Sequence, residues 1–223
     1  MIVVNDLMQP DQFARFRGII FDCDGVLVDS FQANIWYYNW FKEQFGLPRM
    51  DPAEERFTHI QNVFESLRRI IPEGKWEEAF RLRETFDYRL VLPHITPEPG
   101  IFPFMTLLRD LGVNMAVNTS RTNTTDMLLS HLGMAGFFHP VVSTASVSKP
   151  KPHPEGVHLI LDAWRMQPQD VAFIGDSSVD QATAENAGVE FWAYKNPRLT
   201  GALYVPDFPS LLRVFARGKR LGF

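Results

Sequence analysis

Short apolar runs that alternate with helix-like segments restrict the fold of this chain more than any other feature. From residue 101 onward, apolar runs such as residues 113–118 and 171–174 are each followed by a segment with the apolar spacing of a helix. Parallel strands need a long crossover connection, and an α-helix is the usual one. We therefore expect a parallel sheet with helices on both faces, a three-layer α/β core.

The first half of the chain has a different pattern. Residues 18–21 form an apolar run that ends at the polar tetrad DCDG of residues 22–25. Residues 31–97 show no strand pattern, and their apolar residues recur at steps of three and four, as on the buried face of a helix. One such stripe consists of Ile60, Val63, Phe64, Leu67 and Ile71. The sequence thus predicts a core of residues 1–30 and 98–223 with an all-helical insertion of residues 31–97.

The composition argues against nucleic-acid and membrane binding. Hydrophobic residues make up 45% of the chain, charged residues make up 22%, and the net charge of −4 offers no basic surface for a phosphate backbone. We find neither the ~18 consecutive apolar residues of a membrane span nor the apolar segment of a secretion signal. One cysteine, Cys23, excludes an internal disulfide and fits a reducing compartment. We expect a cytoplasmic protein.

Carboxylates, hydroxyls and lysines follow the predicted strands, at the sheet edge where ligands of open α/β sheets bind. In chain order they are Asp22, Asp24, Thr119, Ser120, Lys149, Lys151, Asp176 and Asp180. Two carboxylates separated by one residue repel each other at the end of a buried strand unless a cation or a shared proton intervenes. Oxygen donors favour Mg²⁺, and one cysteine leaves no thiolate site for a softer metal.

The same edge suits a phosphate group. A lysine is needed to offset the negative charge that the metal leaves, and prolines stiffen the segment that holds Lys149 and Lys151. Thr119 and Ser120 offer a hydroxyl and backbone N–H groups to phosphate oxygens. Each of these residues alone is an ordinary loop or helix-cap residue. Their convergence at one edge is what favours phosphoryl transfer.

Four segments resemble the motifs of the haloacid dehalogenase superfamily, in that family's order. FDCDGVLVDS at 21–30 resembles its nucleophile loop, MAVNTS at 115–120 its second motif, KPHPEG at 151–156 its third and FIGDSSVD at 173–180 its fourth. DxDG together with GDSxxD is far more specific than either alone. The resemblance implies a Rossmann-like core, and the insertion resembles the helical C1 cap of subfamily I. The chain is most similar to the phosphoglycolate-phosphatase branch.

The resemblance also implies roles for single residues. Asp22 would be the nucleophile that forms an aspartyl-phosphate, and Asp24 the acid for the leaving oxygen and then the base for water. Lys151 would steady the nucleophile, and it is preferred to Lys149 because the family's KPxP pattern continues directly into a helix, as KPHPEG at 151–156 does here. The other implied roles are phosphate binding by Thr119 and Ser120, Mg²⁺ binding by Asp22, the Asp24 carbonyl and Asp176, and support behind the metal by Asp180.

The implied function is a phosphoric monoester hydrolase that uses Mg²⁺ and acts on a small phosphorylated metabolite. The alternatives are a phosphomutase of the β-phosphoglucomutase type, a dehalogenase and a catalytically idle phosphate sensor. The mutase cap signatures are missing, Asp24 argues against a dehalogenase, and an intact nucleophile argues against a sensor. Two positions depart from relatives, with Ser120 in place of asparagine and Glu98 in place of tyrosine. The substrate, the pathway and the oligomeric state (monomer or homodimer) stay open.

Overall fold

The structure is a computed structural model that describes residues 1–221, without the side chains of residues 59, 60 and 219–221. The chain divides into two compact units. The larger unit consists of Met1–Val28 and Pro97–Phe223, and the smaller one of Asp29–Thr96.

A parallel sheet of seven strands forms the centre of the larger unit. Within residues 1–221 the strands are β1 (Ile2–Val3), β2 (Gly18–Phe21), β3 (Val28–Asp29), β4 (Thr96–Pro97), β5 (Asn114–Asn118), β6 (Val141–Val142), β7 (Val171–Gly175), β8 (Glu190–Tyr194) and β9 (Leu203–Val205). The sheet order is β1-β9-β8-β7-β2-β5-β6, and each neighbouring pair is parallel. Strands β3 and β4 form a separate two-stranded sheet where the chain passes between the units.

Helices make up the rest of the regular structure. In the described part of the chain they are α1 (Phe31–Gln44), α2 (Pro52–Ile60), α3 (Val63–Ile70), α4 (Trp76–Glu84), α5 (Ile101–Asp110), α6 (Thr125–His131), α7 (Glu155–Trp164), α8 (Ser178–Ala187) and α9 (Phe208–Leu221). None of them, among the described residues, is both long and apolar enough to cross a membrane.

Neighbouring residues of β2 point to opposite faces of the sheet, as the two-residue period of a strand requires. Ile20 packs in a core cluster that includes Ile160 of α7 and Ala184 of α8. Phe21 faces the other way, and its ring centroid lies 6.5 Å from that of Phe104 in α5 and 6.3 Å from that of Phe208 in α9. The predicted three-layer α/β core is therefore confirmed, with buried β2 at its centre.

The smaller unit has a core of its own, made largely of aromatic residues. Phe41 of α1 is completely buried among residues of α3 and α4. The ring of Phe86 packs edge-on against Tyr37 and Trp40, with centroids 5.0 and 4.8 Å apart. The aromatic side chains of this unit therefore serve its own stability.

One helical stripe predicted from sequence is wrong. The stripe from residue 60 to residue 71 does not lie on one helix, because α2 ends at Ile60 and α3 begins at Val63. The Asn62 side chain accepts hydrogen bonds from the N–H groups of Phe64 and Glu65, both at 3.0 Å. An asparagine in this position caps the start of a new helix, and this cap explains the interruption.

The smaller unit provides a direct test of its aromatic core. Phe41→Ala should lower the free energy of unfolding by about 3–5 kcal/mol, because it leaves a cavity at a fully buried site. Phe64 of the same unit is 47% exposed, so Phe64→Ala should cost about 1 kcal/mol or less. Urea unfolding followed by circular dichroism measures both. Equal losses in the two variants would contradict this packing.

Candidate active site

Asp22 lies at the end of β2, in the middle of the sheet. Its N–H continues the strand ladder by donating to the carbonyl of Ile174 at 2.9 Å, and the residue is only 7% exposed. The chain then turns sharply, since the Cys23 carbonyl accepts hydrogen bonds from the N–H groups of Leu27 and Val28. Gly25 in this turn has a φ of +78°, and a Cβ there would overlap the Asp176 carboxylate. Only glycine fits this close approach.

Lys151 comes from the loop between β6 and α7. Its Nζ donates to Asp22 Oδ1 at 2.7 Å and to Asp180 Oδ1 at 2.6 Å, and its side chain is 5% exposed. Glu155, the first residue of α7, holds this loop by accepting hydrogen bonds from the N–H groups of Ser148 and Lys149. Lys149, the other candidate, is exposed. The structure therefore brings Lys151 to the predicted nucleophile.

Asp176 comes from the turn between β7 and α8, and Asp180 comes from the first turn of α8. Ser177 caps α8 in a capping box, in which Asp180 Oδ2 accepts from the Ser177 hydroxyl at 2.5 Å and from its N–H at 3.2 Å. This local motif holds Asp180 completely buried. The Asp176 carbonyl accepts a hydrogen bond from Asn196 Nδ2 at 2.8 Å. The cap and the strand end thus present two carboxylates to the same place.

Asp22, Asp176 and Asp180 can each bring one carboxylate oxygen within 4.8 Å of the other two. Burial raises the pKa of Asp22 to about 8 and that of Asp176 to about 7, and the Asp180 charge adds to both increases while Lys151 opposes them. Burial also opposes the charge on Lys151, but its two carboxylate partners outweigh this effect and raise the pKa of its ammonium. One ammonium is too little positive charge for this cluster, in which Asp22 and Asp180 are buried and Asp176 is half-buried.

These residues fit a hard divalent cation such as Mg²⁺, because they offer oxygen donors and excess negative charge. Asp180 already has Lys151 on one oxygen and Ser177 on the other. Lys151 engages only Oδ1 of Asp22. Asp22 and Asp176 are therefore the side chains better able to hold the metal directly, with Asp180 behind them. The Asp24 carbonyl stays a predicted ligand.

The pairing of Asp24 with an arginine was not predicted from the sequence. Arg121 binds the Asp24 carboxylate through two parallel hydrogen bonds. Nε donates to Oδ2 at 2.7 Å, and Nη2 donates to Oδ1 at 2.6 Å. The same guanidinium donates from Nη1 to Thr124 Oγ1 at 3.2 Å. The signal available was a basic residue just beyond Thr119 and Ser120, at the end of the strand beside β2.

Thr119 and Ser120 lie where β5 ends. Thr119 is 3% exposed, its N–H donates to the Val142 carbonyl at 3.0 Å, and its Oγ1 accepts from the N–H of Arg121 at 3.2 Å. Ser120 is exposed, and its carbonyl accepts from the Thr144 hydroxyl at 3.0 Å. Because β5 is the direct neighbour of β2, Thr119 and Ser120 lie at the same sheet edge as Asp22.

Glu98 is a further buried acid, and the sequence predicted its departure from relatives but not its partners. Glu98 is 6% exposed and accepts hydrogen bonds from Tyr194 Oη at 3.0 Å and Lys195 Nζ at 2.6 Å. Its N–H donates to the Leu27 carbonyl at 2.9 Å. Glu98 therefore connects the loop after β2 to the end of β8 through hydrogen bonds.

The carboxylate cluster should bind Mg²⁺ without any substrate. Mg²⁺ at about 100 times its Kd should raise Tm by about 5–10 °C, because it binds the folded state only. In Asp176→Asn the shift should fall below about 2 °C, since a direct ligand is lost. Asp162→Asn changes an exposed carboxylate of α7 and should keep the full shift. Thermal unfolding with Mg²⁺ or with EDTA measures all three, and equal shifts throughout would rule out this metal site.

Comparison with known proteins agrees with this geometry. The family described as haloacid dehalogenase-like hydrolase matches residues 19–194. A haloacid dehalogenase superfamily hydrolase of subfamily IA from Geobacter sulfurreducens shares 34% sequence identity, with a TM-score of 0.84 over 90% of this chain and 97% of the other.

Curated relatives include phosphatases. A phosphoglycolate phosphatase from Chromobacterium violaceum is 29% identical over 78% of this chain and 82% of its own length. The pyrophosphatase PpaX of Bacillus velezensis is 26% identical over 87% of this chain and 91% of its own length. The predicted family and the predicted hydrolase class are confirmed: the chain belongs to the haloacid dehalogenase-like hydrolases.

Proposed function

We propose that this hydrolase is a Mg²⁺-dependent phosphatase that cleaves a small phosphorylated metabolite through an aspartyl-phosphate. The observation that carries the proposal is the position of the Lys151 ammonium, which bridges Asp22 and Asp180, two members of the carboxylate cluster that also includes Asp176. A lysine and a metal site next to one strand-end carboxylate are what phosphoryl transfer to that carboxylate requires.

In the first step a carboxylate oxygen of Asp22 bonds to phosphorus while the bond from phosphorus to the leaving oxygen breaks. The leaving oxygen keeps the electron pair and takes a proton from Asp24. Lys151, the Thr119 hydroxyl and the backbone N–H of Ser120 stabilise the charge that develops on the phosphoryl oxygens. Mg²⁺ bound by Asp22 and Asp176 would neutralise further charge there.

The second step reverses the roles. A water molecule gives a proton to Asp24 and its oxygen bonds to phosphorus, while the bond from phosphorus to Asp22 breaks and returns the electron pair to the carboxylate. One alcohol and one inorganic phosphate leave for each water consumed. Asp24 is thus protonated before the first step and again after the second, and Asp22 is once more a free carboxylate.

Small substrates are supported by the relatives, whose names specify phosphoglycolate and pyrophosphate. We also propose that the helical insertion, predicted as residues 31–97, acts as the cap of this family and contributes to the choice of substrate. Its separate aromatic core supports this role, because a unit that folds around its own core can vary without disturbing the sheet.

The covalent mechanism predicts different defects for the two aspartates of the nucleophile loop. Asp22→Asn removes the nucleophile, so release of inorganic phosphate from phosphoglycolate should fall by several orders of magnitude. Asp24→Asn should lower it by about 10²–10⁴-fold. Asp24→Asn should also lengthen the lifetime of the phosphoenzyme, which mass spectrometry detects as one added phosphoryl group. Near-normal turnover by Asp22→Asn would refute the nucleophile assignment.

The two lysines of the third motif form a matched pair for mutation. Lys151→Met removes the charge that contacts the nucleophile, so kcat should fall by about 10²–10³-fold. Lys149→Met changes an exposed lysine two residues away and should cost less than about tenfold, within the range of surface substitutions. Steady-state kinetics with saturating Mg²⁺ measures both. The reverse order would assign the catalytic role to Lys149.

A further inference from the structure

We propose that Arg121 forms a second anion subsite, which selects phosphate esters that carry another negative group close to the ester oxygen. The inference deepens the proposed function and rests on it, because it takes Asp24 as the group that meets the leaving oxygen. Its ligand class is a carboxylate or a second phosphoryl group on the leaving group.

The guanidinium of Arg121 is held in place before any substrate binds. Its side chain is 11% exposed, two of its nitrogens hold Asp24, and a third donates to Thr124 Oγ1. The backbone N–H of the same residue donates to Thr119 Oγ1. An arginine fixed at both ends loses little side-chain entropy when it binds an anion.

Its position decides which part of a substrate it meets. The leaving oxygen must come within hydrogen-bond distance of Asp24, and Arg121 nitrogens lie 2.7 and 2.6 Å from the two Asp24 oxygens. A carboxylate on the carbon that bears the leaving oxygen is only two bonds away from that oxygen, so it comes within reach of the same guanidinium. In a phosphoanhydride the second phosphoryl group is bonded directly to that oxygen, so it also comes within reach.

Arg121 can exchange the Asp24 carboxylate for an anionic group of the substrate. Carboxylate and phosphoryl groups both present two oxygens to the planar guanidinium, as Asp24 does here. A substrate anion can therefore share or replace the Asp24 contact while the buried arginine stays paired. Lys151 is not suited to this role, because its ammonium already bridges Asp22 and Asp180. Lys195 is not suited either, because its ammonium already donates a hydrogen bond to Glu98.

The test uses two substrates that differ in one group. Phosphoglycolate carries a carboxylate next to the ester carbon, and 2-hydroxyethyl phosphate carries a neutral hydroxymethyl group there. We expect the wild-type kcat/KM for phosphoglycolate to exceed that for 2-hydroxyethyl phosphate. Arg121→Gln should reduce this ratio by about 10–100-fold, the usual effect of losing hydrogen bonds to a charged group. Arg121→Lys should reduce it less, because the charge stays but the paired geometry is lost.

The ratio separates recognition from a general effect on Asp24, which would change both substrates alike. Arg109→Gln alters an arginine of α5 that stacks on Phe137, and it should leave the ratio unchanged. An unchanged ratio in Arg121→Gln would overturn the inference, and so would a wild-type enzyme that hydrolyses both esters without preferring phosphoglycolate.

Calorimetry separates failure of the inference from failure of the proposed function. Phosphonoacetate and ethylphosphonate are probes that cannot be hydrolysed, and their binding is measured with Mg²⁺ present. The first should bind the wild type more tightly, and Arg121→Gln should weaken it by at least about tenfold while ethylphosphonate changes little. A wild type that hydrolyses neither ester but shows this binding pattern refutes the phosphatase and keeps the subsite. Equal weakening of both probes, or binding of neither, refutes the subsite.

Discussion

The excess of negative charge at one edge of the sheet is the constraint on which the rest of the site depends. Asp22, Asp176 and Asp180 meet in a buried place, and Lys151 is the ammonium that joins two of them. Removing one partner of such a buried group leaves charges that neither water nor protein compensates. The loop that delivers the lysine must therefore be held firmly, and Glu155 does this through the backbone N–H groups of that loop.

Asp180 shows that local folding and the chemistry of the site use the same atoms. One of its oxygens completes the capping box that begins α8, and the other accepts from Lys151. The helix start and the lysine position are consequently coupled. A change at Ser177 would loosen the cap and also the carboxylate that holds Lys151. The phosphatase motif GDSxxD thus contains a helix-capping signal as well as carboxylates for a metal site.

Continuous apolar runs made the central strands predictable, because β2 and β7 are buried on both faces. Strands β1, β3, β4 and β9 have only two or three residues each and show no clear period, and they were missed. Asp22 and Asp176 were found because each directly follows a strand, and Asp180 because it lies in the first turn of the next helix. The pairing of Asp24 with Arg121 was not found, because these residues lie 97 positions apart and only the fold brings them together. Glu98 and Lys195 are likewise separated by 97 positions.

Glu98 is a buried carboxylate at a position where the family pattern has tyrosine. A buried carboxylate needs partners, and Glu98 has them in Tyr194 and Lys195 at the end of β8. Lys195 adopts a φ of +50°, a left-handed conformation that costs a residue with a side chain about 1–2 kcal/mol. The next residue, Asn196, donates its amide to the Asp176 carbonyl. The end of β8 therefore offsets its backbone strain with two contacts, one to the buried acid Glu98 and one to the backbone of Asp176. Glu98 and Lys195 therefore act as a pair, because replacing the buried acid removes a contact that helps to hold the left-handed residue in place.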